Sequence, residues 1–300
     1  MPRPRAIRAK VVCLLIVPIV SLMTLWGLAA VQAAQTVYTL TQLQQLNAAI
    51  HLPTDNLVDS LQRERTGVAQ QLAAQGDPGQ VTAALSALYA STDNAAAALR
   101  GGAGTSAAAA TGLGTDVSSR ISTLLNDVGG LPALRGETAR RQVGGPVAQA
   151  SYTKAIGDAL GLEDGMAAAM DRVGPGNTAS EGSAVVEAAR GREMLARQAA
   201  IVAGGQGALT NDAYRQFAGA AYGEIEFEHA ALPRLRPSDA AAYGAVTSSA
   251  AFQRLADARQ TILDAGPGAS GGDIAGAEQS VASLAPVELD RLGAVVSGAG

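Results

Sequence analysis

Between Lys10 and Asp55 the chain carries no Asp, Glu, Lys or Arg. Inside that stretch, Val11 to Val31 (VVCLLIVPIVSLMTLWGLAAV) is a run of 21 mostly apolar residues. About 20 residues in a helix cross a bilayer core, so the run predicts an anchor helix over 11–33. Arg3, Arg5, Arg8 and Lys10 precede it, and a basic flank is retained on the cytoplasmic side. The expected order is a cytoplasmic basic tail over 1–10, the transmembrane anchor over 11–33, and an extracytoplasmic domain over 34–300 held at the cell membrane. Trp26 is placed to sit at the outer interface. A cleaved signal peptide is the alternative, because Val31-Gln32-Ala33 resembles a small-residue cleavage site, although the apolar run exceeds the usual h-region of about 7–15 residues. Both readings put the domain outside the cytoplasm. Cys13, the one cysteine, lies within the apolar run, so no disulfide or thiolate metal site forms within one chain.

Only ten residues are aromatic although 48% are hydrophobic, so Ala, Leu and Val must supply the packing. Small side chains let helices approach closely, whereas sheets favour β-branched and aromatic residues. The expected fold is all-α: an anchor helix followed by one or two antiparallel four-helix bundles. A net charge of −4 without a basic stripe excludes nucleic acid as a partner.

Past the anchor, Val37, Leu40, Leu43, Leu46 and Ile50 recur every three to four residues, and Pro53 interrupts that helix. Thr54 or Asp55 is expected to cap a segment running to about Ala74. Further helices are expected over Val81–Leu99, Thr115–Val128, Leu131–Val143, a long stretch after Pro146, Glu181–Ala203, Asn211–Leu232, Ser238–Asp264, and from Asp273 onward. Gly101 to Gly114 reads as a connector, since no strand precedes it and no Lys-Ser/Thr pair follows its glycines. The chain stops at Gly300 without a second apolar span, which suggests the front part of a longer protein.

Catalytic and metal constellations are sparse. Glu226-x-x-His229 has the spacing of a di-iron ligand pair, but such a site needs two pairs and two further Glu, and the only other histidine is His51. No nucleophile elbow or nucleotide-binding glycine motif occurs. No catalytic residue, metal ligand set or cofactor is therefore assigned.

The arginines stand out. Lysine occurs only at Lys10 and Lys154. Leu57, Leu61, Val68 and Leu72 form an apolar stripe, and Arg65 falls inside it, while Arg63 aligns with Asp59, Asn56 and Gln70 on the polar face. In a later helix Val186, Met194 and Ile201 form a stripe that takes in Arg190 and Arg197. A buried charge without a partner is very costly. Each guanidinium therefore needs either an acid such as Glu64 or Glu193, or an anion between the helices. A guanidinium donates two parallel hydrogen bonds to a planar oxyanion. If both arginines serve an anion, they repel one another when the site is empty, and removing either should leave the empty domain no less stable.

Leu61-Gln62-Arg63-Glu64-Arg65-Thr66-Gly67, with Arg192-Glu193-Met194-Leu195-Ala196-Arg197-Gln198, resembles the nitrate- and nitrite-sensing domain, over about Leu57 to Leu292. That domain forms the extracytoplasmic part of bacterial sensor histidine kinases and some related regulators. The resemblance implies two four-helix bundles that bind nitrate or nitrite through arginines on the first and a later long helix. Carried over, these are Arg65 and Arg197, with Arg135 of the similar Leu131-Pro132-Ala133-Leu134-Arg135 element as a third. Arg63 and Arg190 are secondary candidates. It also implies a homodimer whose parent protein passes the signal across the membrane to a cytoplasmic kinase region and a response regulator. The competing reading is an extracellular helical interaction module whose arginines are purely structural.

Overall fold

The computed structural model describes residues 47–74, 81–105, 115–171, 178–205 and 209–299, together with 23, 25, 26 and 28. The chain divides into two compact units, Met1–Leu46 and Asn47–Gly300. In the first, Met23, Leu25, Trp26 and Leu28 are helical with exposed side chains; the rest of the expected anchor lies outside the described residues. Among the described residues no helix is long and apolar enough to cross a membrane.

In the second unit the described residues form helices joined by short turns. A π-helical turn, Asn47–His51, leads into α1 (Leu52–Ala73), followed by α2 (Ala83–Thr105), α3 (Thr115–Ala139), α4 (Gly145–Asp171) and α5 (Thr178–Gly205). Then come α6 (Asn211–Ala231), a 3₁₀ turn at Leu232–Arg234, α7 (Pro237–Thr247), α8 (Ala250–Ala265) and α9 (Gly272–Ala299). Helices α1 to α4 pack as one four-helix bundle; α5, α6, α8 and α9 form a second, with α7 against α9. The bundles meet where α1 and α4 pack on α5.

Side-chain contacts fix the directions. Arg65 meets Thr153 while Glu64 meets Tyr152 and His51 faces Glu163, so α1 and α4 are antiparallel. Asp59 pairs with Arg192 and Arg65 with Glu193, so α1 and α5 run parallel. Because α1 packs against α2, α4 and α5, nearly its whole circumference is covered. Leu57, Leu61, Val68 and Ala69 are buried, and so are Gln62, Glu64 and Arg65. On α5, Ala184, Ala188, Ala189, Ala196, Ala199 and Ala200 are buried, and this run of small side chains lets it touch both bundles.

Local boundaries differ from expectation at three places. Pro53 does not separate two helices; it occupies the first turn of α1, where its missing N–H has no partner to lose. The winding instead changes from π to α at His51–Leu52, and the Thr54 hydroxyl donates to the Ile50 carbonyl at 2.7 Å without capping. Gly129-Gly130 does not end a helix, and α3 continues through Pro132. Val117, Ile121, Leu124, Val128, Leu131 and Arg135 are all buried, at alternating steps of four and three residues, so the packed stripe outweighs the local weakness. The helix expected over Ser238–Asp264 is two, because Ser249 caps α8 by accepting from the Phe252 N–H at 3.2 Å.

One glycine permits a close helix approach. A Cβ at Gly102 in α2 would stand 1.7 Å from the Ala49 carbonyl oxygen in the π turn, whereas a Cβ at Gly101 meets nothing within 4 Å. Backbone cannot yield as a flexible side chain can. Gly102→Ala should therefore destabilise by about 1–3 kcal/mol, as overpacking does, while Gly101→Ala should be neutral or stabilise by about 0.5–1 kcal/mol. Urea unfolding of the two variants beside the parent checks the contrast.

Candidate functional site

The buried face that α1 turns toward α4 and α5 is polar. Arg65 is 1% exposed, and the two terminal nitrogens of its guanidinium meet the Glu193 carboxylate of α5, Nη1 donating to Oε1 at 2.6 Å and Nη2 to Oε2 at 3.1 Å. Nη1 also donates to the Thr153 hydroxyl of α4 at 3.1 Å. Gln62, on the preceding turn of α1, donates to the same Glu193 at 2.9 Å. The positions follow from helix periodicity: Gln62 and Arg65 are three apart on α1 and share one face. One donor and one acceptor remain uncommitted at this layer. The Arg65 Nε and the Gln62 side-chain oxygen are buried without a hydrogen-bond partner among the described residues.

Beside this layer lies a cavity of about 380 Å³, lined by Arg65, Arg197 and Thr153 together with Gln149, Lys154 and Gln216 among its polar groups. Arg197 is one helical turn beyond Glu193 on α5 and half-buried. The ion pairs of the described residues do not include it, so its charge faces the cavity uncompensated. Lys154, in contrast, is drawn to Asp127 and Asp158 on its outer side, and hydrogen bonds to those two acids raise its pKa. The cavity wall thus carries one neutralised guanidinium, one free guanidinium and several amide or hydroxyl groups. Chemically that arrangement suits a small anion: positive charge for affinity, planar forks and neutral donors for geometry.

The sequence-singled arginines separate into two groups. Arg65 and Arg197 are brought together at the cavity. Arg135 is not. From α3 it grips Glu64 with Nε and Nη2 at 2.8 and 2.9 Å, donates to Asp93 at 2.8 Å, and stacks on the Tyr89 ring at 4.6 Å. Burial works against its charge, but Glu64 and Asp93 more than offset that and hold its pKa above the ordinary range. Tyr152 completes this cluster by donating to Glu64 at 2.5 Å, and burial together with Glu64 pushes its phenol well up. Glu64 and Arg65 are neighbours in sequence but point to different sides of α1, so Arg135 is spent on the interior of the first bundle. Arg63 is exposed and bridges Asp59 and Asp290. Arg190 pairs with Asp164 and Glu187; neither reaches the cavity.

The structure also revises the expected repulsion between the two stripe arginines. Glu193 neutralises Arg65, so its removal strands a buried carboxylate. Gln149, Thr153, Lys154 and Gln216 were not picked out from the sequence. Gln149 and Thr153 are one turn apart, flanking the Tyr152–Ile156 stripe of α4, a position that marks them as half-buried but carries no motif.

A family model described as nitrate and nitrite sensing matches residues 56–297 of the chain. Among solved structures, the chain is similar to one described as the structure of the NasR transcription antiterminator. The TM-score is 0.73 at 18% identity, over 90% of this chain and 71% of that one, a likeness of fold. A search of curated proteins finds no match.

Arg65→Ala should lower the stability of the empty domain by roughly 3–5 kcal/mol, the usual cost of breaking a buried pair from one side. Arg197→Ala should change it by no more than about 0.5 kcal/mol, since no acid loses a partner. Denaturant unfolding in an anion-free buffer separates the two.

Proposed function

The chain belongs to the nitrate and nitrite sensing family, and we propose that nitrate or nitrite binds in the cavity between α1, α4, α5 and α6, with Arg197 as its principal charge partner and Arg65 as the second. The observation that carries this reading is the free guanidinium of Arg197 beside a fully buried one whose Nε is still without an acceptor. An anion entering there supplies Arg197 with a counter-charge and can accept from Thr153, Gln149 or Gln216 at the cavity wall. An interaction module with purely structural arginines would leave Arg197 unexplained, because a structural arginine is normally matched by an acid, as Arg135, Arg190 and Arg192 are.

The cavity volume bears on signalling. A four-atom nitrate or three-atom nitrite leaves room beside it in a cavity of about 380 Å³. Binding through both arginines would draw their side chains, carried by α1 and α5, toward the anion. Since α5 is shared by both bundles, such a movement passes from one bundle to the other. A ligand shifts an equilibrium by its difference in affinity for the two states, and an open empty site supplies that difference.

The wider setting is part of the same proposal. The apolar run over 11–33, behind its basic flank, anchors the domain in the cell membrane and places it outside the cytoplasm. The parent protein, as a homodimer, relays the bound state to a cytoplasmic histidine kinase region and its response regulator. The charge-free run and the exposed apolar side chains of Met23, Leu25, Trp26 and Leu28 support the anchor. A reporter fused after Gly300 should be active only outside the cytoplasm. Activity inside would remove the membrane part of the reading and leave the anion site untouched.

For the site itself, nitrate or nitrite should raise the melting temperature of the chain by mass action on the folded state. Arg197→Ala should abolish the shift while the empty protein melts as the parent does. Arg63→Ala, whose side chain faces Asp59 and Asp290, should keep it. A nitrate-dependent shift that persists in Arg197→Ala overturns the assignment.

A further inference from the structure

At the start of α1, away from the arginines, three ligand-bearing side chains converge. His51 closes the π-helical turn, Asp55 follows one turn later, and Glu163 approaches from α4. The imidazole Nε2 lies 3.9 Å from Asp55 Oδ2, and Nδ1 lies 3.9 Å from Glu163 Oε1. One donor atom from each residue falls within 4.8 Å of the other two. Neither imidazole separation is a hydrogen bond. His51 Nε2, Asp55 Oδ2 and Glu163 Oε1 are all buried without a hydrogen-bond partner among the described residues, and Glu163 is only 4% exposed.

Buried polar atoms are nearly always paired. These orphans, from one imidazole and two carboxylates gathered within 4.8 Å, form a set that one shared cation can satisfy. Arg192, a buried cation of α5, is occupied by Asp59 and by the Leu289 carbonyl. Asp55 and Glu163 bring two carboxylates together here, Glu163 in the buried interior. A divalent cation would neutralise both.

We propose that His51, Asp55 and Glu163 bind a divalent first-row transition-metal ion, through one imidazole nitrogen and one oxygen of each carboxylate. Imidazole with carboxylate donors suits zinc, iron, cobalt or manganese, whereas calcium and magnesium take all-oxygen sets. Metal–ligand bonds of about 2.0–2.2 Å draw the three donors toward one another, which clamps the beginning of α1 onto α4, and water completes the coordination. The π turn that presents His51 accords with such a role, since isolated π turns concentrate at functional sites. The site shares no residue with the cavity, so the two readings stand or fall separately.

The test uses the full chain, stripped with chelator and titrated with Co²⁺, which reports coordination by a visible d–d absorption band. One equivalent should bind, Zn²⁺ should displace it, and Ca²⁺ should not. Glu163→Gln and Asp55→Asn should each weaken Co²⁺ affinity by on the order of 100-fold or more, since loss of an outer-sphere partner alone costs about 10–100-fold. Both variants keep the shape of the side chain they replace, so the metal-free protein should fold and melt close to the parent. Should one of them fail to fold, the other and His51→Ala carry the same measurement. Absence of the band at saturating Co²⁺, retention of parent affinity in the variants, or displacement by Ca²⁺ overturns the proposal.

Discussion

The paired guanidinium and carboxylate of Arg65 and Glu193 hold the two bundles in register. They join α1 to α5, the two helices that run parallel through the middle of the molecule, at a depth where Arg65 is 1% exposed. Charges so placed gain from each other only when the geometry is close and the remaining donors are met. Thr153 and Gln62 meet two of those demands. The demand left open, at the Arg65 Nε, faces the same layer as the cavity. The join between the bundles and the wall of the candidate site are therefore one structure, and a change at the site is felt by both bundles without any additional relay.

A second buried ion cluster, Arg135 with Glu64, Asp93 and Tyr152, sits one residue along α1 and on its other side. The two clusters divide the work between adjacent positions of one helix. Glu64 turns into the first bundle and closes it; Arg65 turns to α5 and ties the bundles together. An alanine-rich chain with few aromatics has little large apolar surface to specify how its helices seat against each other. Two directional ion clusters on a shared helix supply that register, and buried polar groups are best attested in such a role.

The all-helical architecture was legible in the sequence because it rests on local signals: few aromatic residues, apolar residues at helical spacing, Pro and Gly at the breaks. Those signals failed where tertiary packing overrode them, as at Gly129-Gly130 and Pro132, and where a single Ser249 cap split a helix. Arg65 and Arg197 were legible for a related reason, since an arginine inside an apolar stripe is visible from spacing alone. Their partners were not. Spacing on one helix cannot tell whether a buried guanidinium meets an acid on another helix or an empty space, and here Arg65 meets Glu193 while Arg197 faces the cavity. Arg135 shows the same limit in reverse: the short element around it pointed to a ligand, and the fold gives it to Glu64. The His51, Asp55 and Glu163 cluster was hidden because its third member comes from a helix far along the chain.

Glu193 occupies both terminal nitrogens of Arg65, so an anion in the cavity would compete with that carboxylate for the second guanidinium. Replacing Glu193 by Gln keeps its shape and removes its charge, leaving two uncompensated guanidiniums at the cavity wall. Calorimetric titration of nitrate or nitrite into Glu193→Gln beside the parent is the direct measurement. The account predicts tighter anion binding in the variant, together with a lower melting temperature when empty that the anion restores. Unchanged or weaker binding in a folded Glu193→Gln protein would contradict it.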